Sequence, residues 1–425
     1  MKKGFSTIMS AQFFSSLADN ALLVAAIELL NTSKAPSWHV AALPSMFALF
    51  YVLLAPFVGA FADAVPKGKV MFVANAIKVV GCLMMAFGAH PLLSYAIVGL
   101  GAAAYSPAKY GILTELLPPS QLVKANGWIE GLTILSVILG IVLGGQLVGQ
   151  RVASLLLGID MPLLSTGIDT PAEAAITTIM VLYVVAAVFN LYIPRTEAPL
   201  QPLPRQPTNL VRDFASCNAR LWNDRLGQIS LATTTLFWGI GGNMRVIVFP
   251  WAAVALGYNV TQASTLGAVV AIGTAGGAVL AALVTRLDKA TGTIPMGIAM
   301  GLLIAGLNFV SHVWVAVPFL ILLGAVSGYL VVPMNALLQH RGHNLMGAGR
   351  SIAVQNFPEQ ACILGLSALD ALMTRFGATP FGVLTVLGLG VALIMWQIRG
   401  WHARNCTLHF DEVERLLAIA RTDKH

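Results

Sequence analysis

Twelve runs of about 20 mostly apolar residues dominate this chain, and each is long enough to cross a hydrocarbon core of about 30 Å. They cover 8–30, 41–61, 70–89, 92–112, 127–149 and 172–193, then 229–256, 262–285, 294–310, 313–338, 347–371 and 378–399. Only 10% of the 425 residues are charged, where a soluble domain carries about a quarter. The 40 glycines and 21 prolines are spread through the apolar runs, which suits transmembrane helices and argues against disorder or a collagen-like repeat. A soluble fold is excluded. The expectation is an all-α membrane protein with twelve transmembrane helices, and a nucleic-acid partner is not expected.

An even number of crossings puts both chain ends on one side, so the loops fall into two sets. One set holds Lys2, Lys3, Lys67, Lys69, Lys124, five arginines between Arg195 and Arg225, Arg286, Lys289, Arg341, Arg350, and the tail from Arg399 to Lys424, which makes 19 basic residues. The other holds Lys34, Arg151 and Arg375. Positive charge is retained on the cytoplasmic side, so 19 against 3 makes both termini cytoplasmic. The first apolar run carries Gln12, Ser15, Ser16 and Asp19 and lacks a small-residue cleavage site, so it reads as a retained helix rather than a secretory signal.

Residues 194–228 contain Pro194, Pro199, Pro202, Pro204 and Pro207 and read as a linker. Across it, the second half repeats the first at offsets of 223 to 226: Asn20 falls on Asn243, Asp63 on Asp288, Pro107 on Pro333, and Asn126 on Arg350. This predicts two parallel-repeat six-helix bundles, 1–193 and 229–400, with a tail over 401–425. A binding site in such an architecture lies between the bundles near the midplane.

Intramembrane charges are costly and face a cavity or a partner. Asp19 lies about 16 Å along its span at 1.5 Å per residue, and Arg245 is similarly midway along helix seven. Either they line the cavity and bind opposite charges of a substrate, or they form an ion pair clamping the halves together. Lys78, Glu130 and Glu359 are further candidates, with Lys124, Asn126, Gln355 and Asn356 nearby and Asn20 next to Asp19. For Lys78 an alternative is interhelical pairing with a glutamate. Lys109 and Lys124 can snorkel to the interface.

Enzymatic motifs are absent from the sequence. The one H-x-x-x-x-acid spacing, His409 with Glu414, lies in the tail, and there is no G-x-x-x-x-G-K-[ST] loop for ATP. Cys82, Cys217, Cys362 and Cys406 stand too far apart in sequence for a metal motif and read as free thiols. No cofactor or metal is expected. Segment 408–421 reads as a short amphipathic helix, with Phe410, Val413, Leu417 and Ala420 on one face, suited to lying on the inner leaflet.

The loop "GAFADAVPKGKV" resembles the signature between helices two and three of the major facilitator superfamily. The resemblance implies gating roles for Gly59, Asp63, Gly68 and Lys69, although Asp63 to Gly68 is two residues longer than in the G-x-x-x-D-R-x-G-R pattern. The strings "SLADNALLVAAIELL", "GLGAAAYSPAKYGILTEL", "LVKANGWIEG", "VVPMNALLQHRG" and "GAGRSIAVQNFPEQ" are similar to the bacterial lysophospholipid transporters of that superfamily. The resemblance implies a flippase moving lysophosphatidylethanolamine and related lipids to the inner leaflet of the bacterial inner membrane. It also implies a separate cytoplasmic lysophospholipid acyltransferase as partner, and a monomer. The residues suit such a cargo, with Arg245 or Lys124 for the phosphate and Asp19 for the ammonium. The acyl tail would stay in lipid through lateral openings between helices, and the small-residue run 267–282 could form a sliding seam or a static contact. A proton-coupled exporter of small amphiphiles remains the alternative.

Overall fold

The computed structural model describes residues 3–116, 119–157, 170–194, 200, 206–346 and 348–422. Among them the chain is helical, with no strand. The first half comprises α1 (Lys3–Thr32), α2 (Trp38–Leu53), α3 (Ala55–Ala64), α4 (Lys67–Ala86), α5 (Pro91–Leu116), α6 (Pro119–Leu147), α7 (Gln150–Leu157) and α8 (Pro171–Leu191). After α9 (Pro207–Asn223) come α10 (Gly227–Leu256), α11 (Val260–Val284), α12 (Ile294–Gly306), α13 (Val313–Met346), α14 (Ala348–Arg375), α15 (Pro380–Leu408) and α16 (Phe410–Thr422).

Eight of these helical stretches are long and apolar enough to cross a membrane, and two bent pairs raise the number to ten. The second expected span is one such pair: α2 and α3 meet at 64°. Pro56, in the first turn of α3, lacks the N–H that would continue α2, and its ring obstructs the carbonyl one turn back. The fifth span bends likewise, by 66° between α6 and α7. Helices α5 and α14 occupy the fourth and eleventh expected positions and are more polar; α14 carries Gln355, Asn356, Glu359, Gln360 and Asp370.

Helix starts follow local chemistry. Thr170 accepts the Glu173 N–H while the Glu173 carboxylate accepts the Thr170 N–H, a reciprocal cap that opens α8. Asn259 and Gln262 do the same for α11. Helix α10 stops at Gly257, whose φ of 68° lies in the left-handed region that favours glycine.

The packing repeats as the sequence offsets predict. Helix α1 packs on α6 and α8 as α10 packs on α14 and α15. Likewise α2 on α5 matches α11 on α13, and α4 on α8 matches α12 on α15. The two halves meet where α2 packs on α14 and, symmetrically, where α11 packs on α6. Small residues permit the close approaches. A Cβ at Gly140 or Gly144 would strike the α1 backbone at Leu17 or Ala21, and one at Gly273 or Gly277 would strike α13 at Ile321 or Ala325. Gly273 and Gly277 of the 267–282 run are therefore tight contacts within the second half. Gly267 lies toward the first half, at ordinary van der Waals distance from Ile141.

Two segments differ from expectation. The linker contains helix α9, whose Cys217 and Leu221 are buried with Leu231, Leu338 and Val354, and Phe214 packs edge-on against Phe357. Helix α15 runs on to Leu408, so the first residues of the expected tail continue a long helix. Beyond it, α16 docks on α15 and on the 3-10 segment Leu287–Thr293, burying Val413 and Leu416. Phe410, expected on its apolar face, is 65% exposed.

Candidate functional site

A cavity of about 260 Å³ lies between the two halves, walled by α1, α2, α4, α5 and α6 on one side and by α10 and α14 on the other. Helix α1 supplies Gln12, Ser15, Ser16, Asp19, Asn20 and Leu23, a spacing of three and four residues that aligns them on one face. Helix α10 supplies Trp238, Gly242 and Arg245, and α14 supplies Gln360 and Ile363. Phe47, Tyr51, Tyr95 and Tyr105 give the wall an aromatic character. The repeat extends to hydrogen bonds: the Asn20 amide donates to Ser16 O at 2.8 Å, and the Asn243 amide donates to Gly239 O at 2.8 Å.

Asp19 pairs with Lys78 and not with Arg245. The Lys78 ammonium donates to both Asp19 oxygens at 2.8 Å and to Ser15 Oγ at 3.0 Å. Its three protons are thereby committed, and the side chain is 1% exposed. Tyr183 OH donates to Asp19 Oδ1 at 2.7 Å, and Ser15 Oγ donates to Asn75 Oδ1 at 2.8 Å. The Asp19 side chain remains 20% exposed to the cavity. Arg245 also faces the cavity but makes no hydrogen bond or ion pair with any described residue. The clamp between halves expected as one alternative is thus not formed by these two residues. A pairing of Lys78 with a glutamate is likewise replaced, because α1 brings Asp19 within reach first.

The other expected residues are distributed unevenly. Asn20 lines the cavity. Gln355 is buried and donates to Ser351 Oγ at 2.7 Å within α14, and Glu359 is buried outside the lining. Both sit on the α14 face next to the one that carries Gln360 and Ile363. Asn356 shares the face of Gln360, one turn away and beyond the cavity lining. The side chains of Lys124, Asn126, Glu130 and Asp63 lie outside the described residues. Lys109 lines the cavity at 8% exposure, over the Tyr110 ring at 4.2 Å, and does not snorkel.

At the α3–α4 turn Gly68 packs against Asn190 and Ile193 at the end of α8, Gly59 has open space around it, and Lys69 is exposed. The buried cation there is Lys67, which donates to Ala62 O at 3.1 Å and lies over Gly111. In the second half, Asp288 pairs with Arg286 at 3.3 Å.

The seam between α2 and α14 is held by hydrogen bonds at the end away from the chain termini. Ser45 N–H donates to Ser367 Oγ at 3.0 Å, Ser45 Oγ donates to Leu364 O at 2.9 Å, and Ser367 Oγ donates to Ala41 O at 2.6 Å. About two turns further out, the Arg375 guanidinium stacks over Trp38 at 5.6 Å. Among the described residues no group of three or more His, Cys, Asp or Glu is placed to hold a metal ion.

Sequence reading missed Ser15, Asn75 and Tyr183. The position of Ser15, four residues before Asp19 on the same helix face, was the available signal. Asn75 stands three residues before Lys78 in the same way. Nothing in the sequence links Tyr183 to this cluster.

The geometry can be set beside known proteins. The model of the Major Facilitator Superfamily matches residues 8–357. The lysophospholipid transporters LplT of Yersinia pestis (strain Pestoides F) and of Yersinia pseudotuberculosis serotype O:3 are each 38% identical over 384 residues, covering 90% of both chains. A bacterial homologue of the human lysosomal transporter Spinster, crystallised in an inward-facing and unoccupied conformation, superposes with a TM-score of 0.62 at 16% identity over 99% of both chains. A mutant of the nucleoside transporter NupG gives 0.68 at 14% identity, over 94% of this chain and 98% of the other. These structural likenesses bear on the fold, which is that of multi-pass membrane transporters. The chain belongs to the major facilitator superfamily and, within it, to the family of the lysophospholipid transporter LplT.

Proposed function

We propose that this protein carries lysophospholipids, lysophosphatidylethanolamine among them, from the outer to the inner leaflet of the bacterial inner membrane by alternating access. The observation that carries this reading is the Arg245 guanidinium, unpaired among the described residues, in a cavity whose Asp19 and Lys78 already neutralise each other. A free guanidinium on an aromatic-lined wall suits a phosphate, which it binds through two parallel hydrogen bonds. The Asp19 carboxylate keeps one lone-pair direction toward the cavity for the headgroup ammonium, and Asn20 stands beside it. Lys124, Asn126, Glu130, Gln355, Asn356, Glu359 and Lys78 belong to the wider set from which this site is drawn. The acyl chain stays in lipid, because bringing it into a wet cavity costs about 0.8 kcal/mol per CH₂.

In this reading twelve crossings form two bundles, 1–193 and 229–400, joined by the linker 194–228, with both termini and the 401–425 tail in the cytoplasm. The closed α2–α14 seam then faces the periplasm, and the arrangement is inward-facing. Gly59, Asp63, Gly68 and Lys69 form the hinge at the cytoplasmic ends of helices two and three. The carrier works as a monomer, and a separate cytoplasmic acyltransferase reacylates the delivered lipid.

The test is uptake of labelled lysophosphatidylethanolamine into spheroplasts expressing wild type, Asp19→Asn or Arg245→Ala at equal membrane levels. Losing a charged, bidentate phosphate contact worth about 1.5–3 kcal/mol lowers uptake by roughly tenfold to a hundredfold. Wild-type uptake no greater than the empty-vector control refutes the proposal.

A further inference from the structure

The Lys78 ammonium sits in a cage that has the chemistry of a cation-binding site. Its donors reach a carboxylate through both oxygens and a hydroxyl, Asp19 at 2.8 Å and Ser15 at 3.0 Å. Two aromatic faces complete the cage, with Tyr105 and Tyr183 ring centroids at 5.2 and 5.4 Å, inside the range over which a ring attracts a cation. The oxygens are themselves held in place: Asp19 by Tyr183 OH, and Ser15 by Asn75 Oδ1. Space for the lysine stem is built into the neighbouring helix. A Cβ added at Gly101 of α5 would lie 2.7 Å from Lys78 Cγ. Asn75 Nδ2 and Tyr105 OH are buried nearby without a hydrogen-bond partner among the described residues, so polar capacity remains in the pocket beyond what the lysine uses.

We propose that Lys78 is a tethered counter-ion occupying a latent monovalent-cation site made by Asp19, Ser15, Tyr105 and Tyr183, and that removing its side chain opens this site to Na⁺ or to a small alkylammonium. A carboxylate largely withdrawn from water, as Asp19 is at 20% exposure, needs a positive partner or a proton. A solution cation meets that need only while bound. A covalently attached ammonium meets it in every conformation, so the carrier can reorient without taking up or releasing an ion at Asp19. Oxygen ligands suit a hard cation, and the atoms that Lys78→Ala deletes, three carbons and the ammonium, have the volume of n-propylammonium. The site itself does not depend on which cargo the cavity carries; only the transport readout rests on the lysophospholipid reading above.

The experiment compares purified wild type, Lys78→Ala, and the charge-free pair Asp19→Asn with Lys78→Met. Labelled Na⁺ is expected to bind Lys78→Ala and to be displaced by n-propylammonium, with no binding to wild type or to the double variant. In parallel, Na⁺ or n-propylammonium is expected to raise the melting temperature of Lys78→Ala alone, relative to choline. Folded Lys78→Ala that binds neither cation overturns the proposal, and so does wild type that binds labelled Na⁺ at Asp19. If Lys78→Ala accumulates poorly while the double variant accumulates normally, Na⁺ or n-propylammonium during expression and solubilisation must raise its yield over choline; equal yields overturn the proposal. Uptake of labelled lysophosphatidylethanolamine by Lys78→Ala should fall severalfold in choline and recover in Na⁺. Wild-type uptake at the empty-vector level refutes the cargo and leaves the binding measurements to judge the site.

Discussion

A lysine near the middle of an apolar helix is tolerated with a partner or with water, and the sequence could tell that Lys78 needs one of these without telling which. Depth is legible because helical rise converts residue number into distance. Partnership is not, because Asp19 lies 59 residues from Lys78 on a different helix. The internal repeat matched the helices of Asp19 and Arg245 and suggested a pair, yet repeat-related positions stand on opposite walls of the cavity. Asp19 was claimed instead by a cation of its own half. Two outcomes follow for single residues. Gly101→Val places a branched side chain against Lys78 Cγ and the Ala74 carbonyl. Overpacking of this kind costs about 1–3 kcal/mol, seen as a lower melting temperature in detergent, and an unchanged value contradicts the packing. Arg245→Lys keeps the charge but not the planar fork. Its uptake rate should fall between those of wild type and Arg245→Ala, and a rate equal to wild type shows that charge alone suffices.

At the scale of elements, apolar run length located the helices but not their ends. Helices α13 and α15 continue 8 and 9 residues past the apolar runs, to Met346 and Leu408, because helix continues wherever backbone hydrogen bonds and docking permit, regardless of hydropathy. Helix α9 was hidden by the prolines before it, although Phe214, Cys217 and Leu221 recur at the spacing of one helical face. Its C-terminal end is fixed by one ion pair. Arg341 of α13 donates to both Asp224 oxygens, at 3.0 and 2.6 Å, with the two side chains 5% and 7% exposed. Asp224 Oδ1 also accepts the Gly227 N–H at 2.7 Å, so the same carboxylate caps α10. Removing one member of a buried pair strands the other charge, at a cost of about 3–5 kcal/mol. Arg341→Ala should therefore lower thermal stability sharply, whereas Arg341→Met with Asp224→Asn should recover much of the loss. A double variant no more stable than Arg341→Ala rejects this account.

For the whole molecule, four short matches at nearly one offset were enough to foretell a repeated packing of helices, since each helix of a repeat must bury the same face against the same neighbours. The conformation was not legible, because a carrier's sequence must serve both of its closed ends. The structure shows α2 and α14 joined at one end, by the Ser45 and Ser367 hydrogen bonds and by the Arg375 stack on Trp38. The proposed alternating access requires this α2–α14 seam to part in every cycle. Two serines within hydrogen-bond distance across the seam give a way to hold it shut. In a background lacking Cys82, Cys217, Cys362 and Cys406, all free thiols here, Ser45→Cys with Ser367→Cys should form a disulfide under mild oxidation. Cross-linked carrier should then lose lysophospholipid uptake, and reduction should restore it to the level of the uncross-linked variant. Each single cysteine variant controls for the lost hydrogen bonds, since neither can cross-link and neither should respond to the oxidant. A fully cross-linked carrier that transports at the uncross-linked rate would mean that the seam stays closed throughout the cycle and that the cargo enters elsewhere.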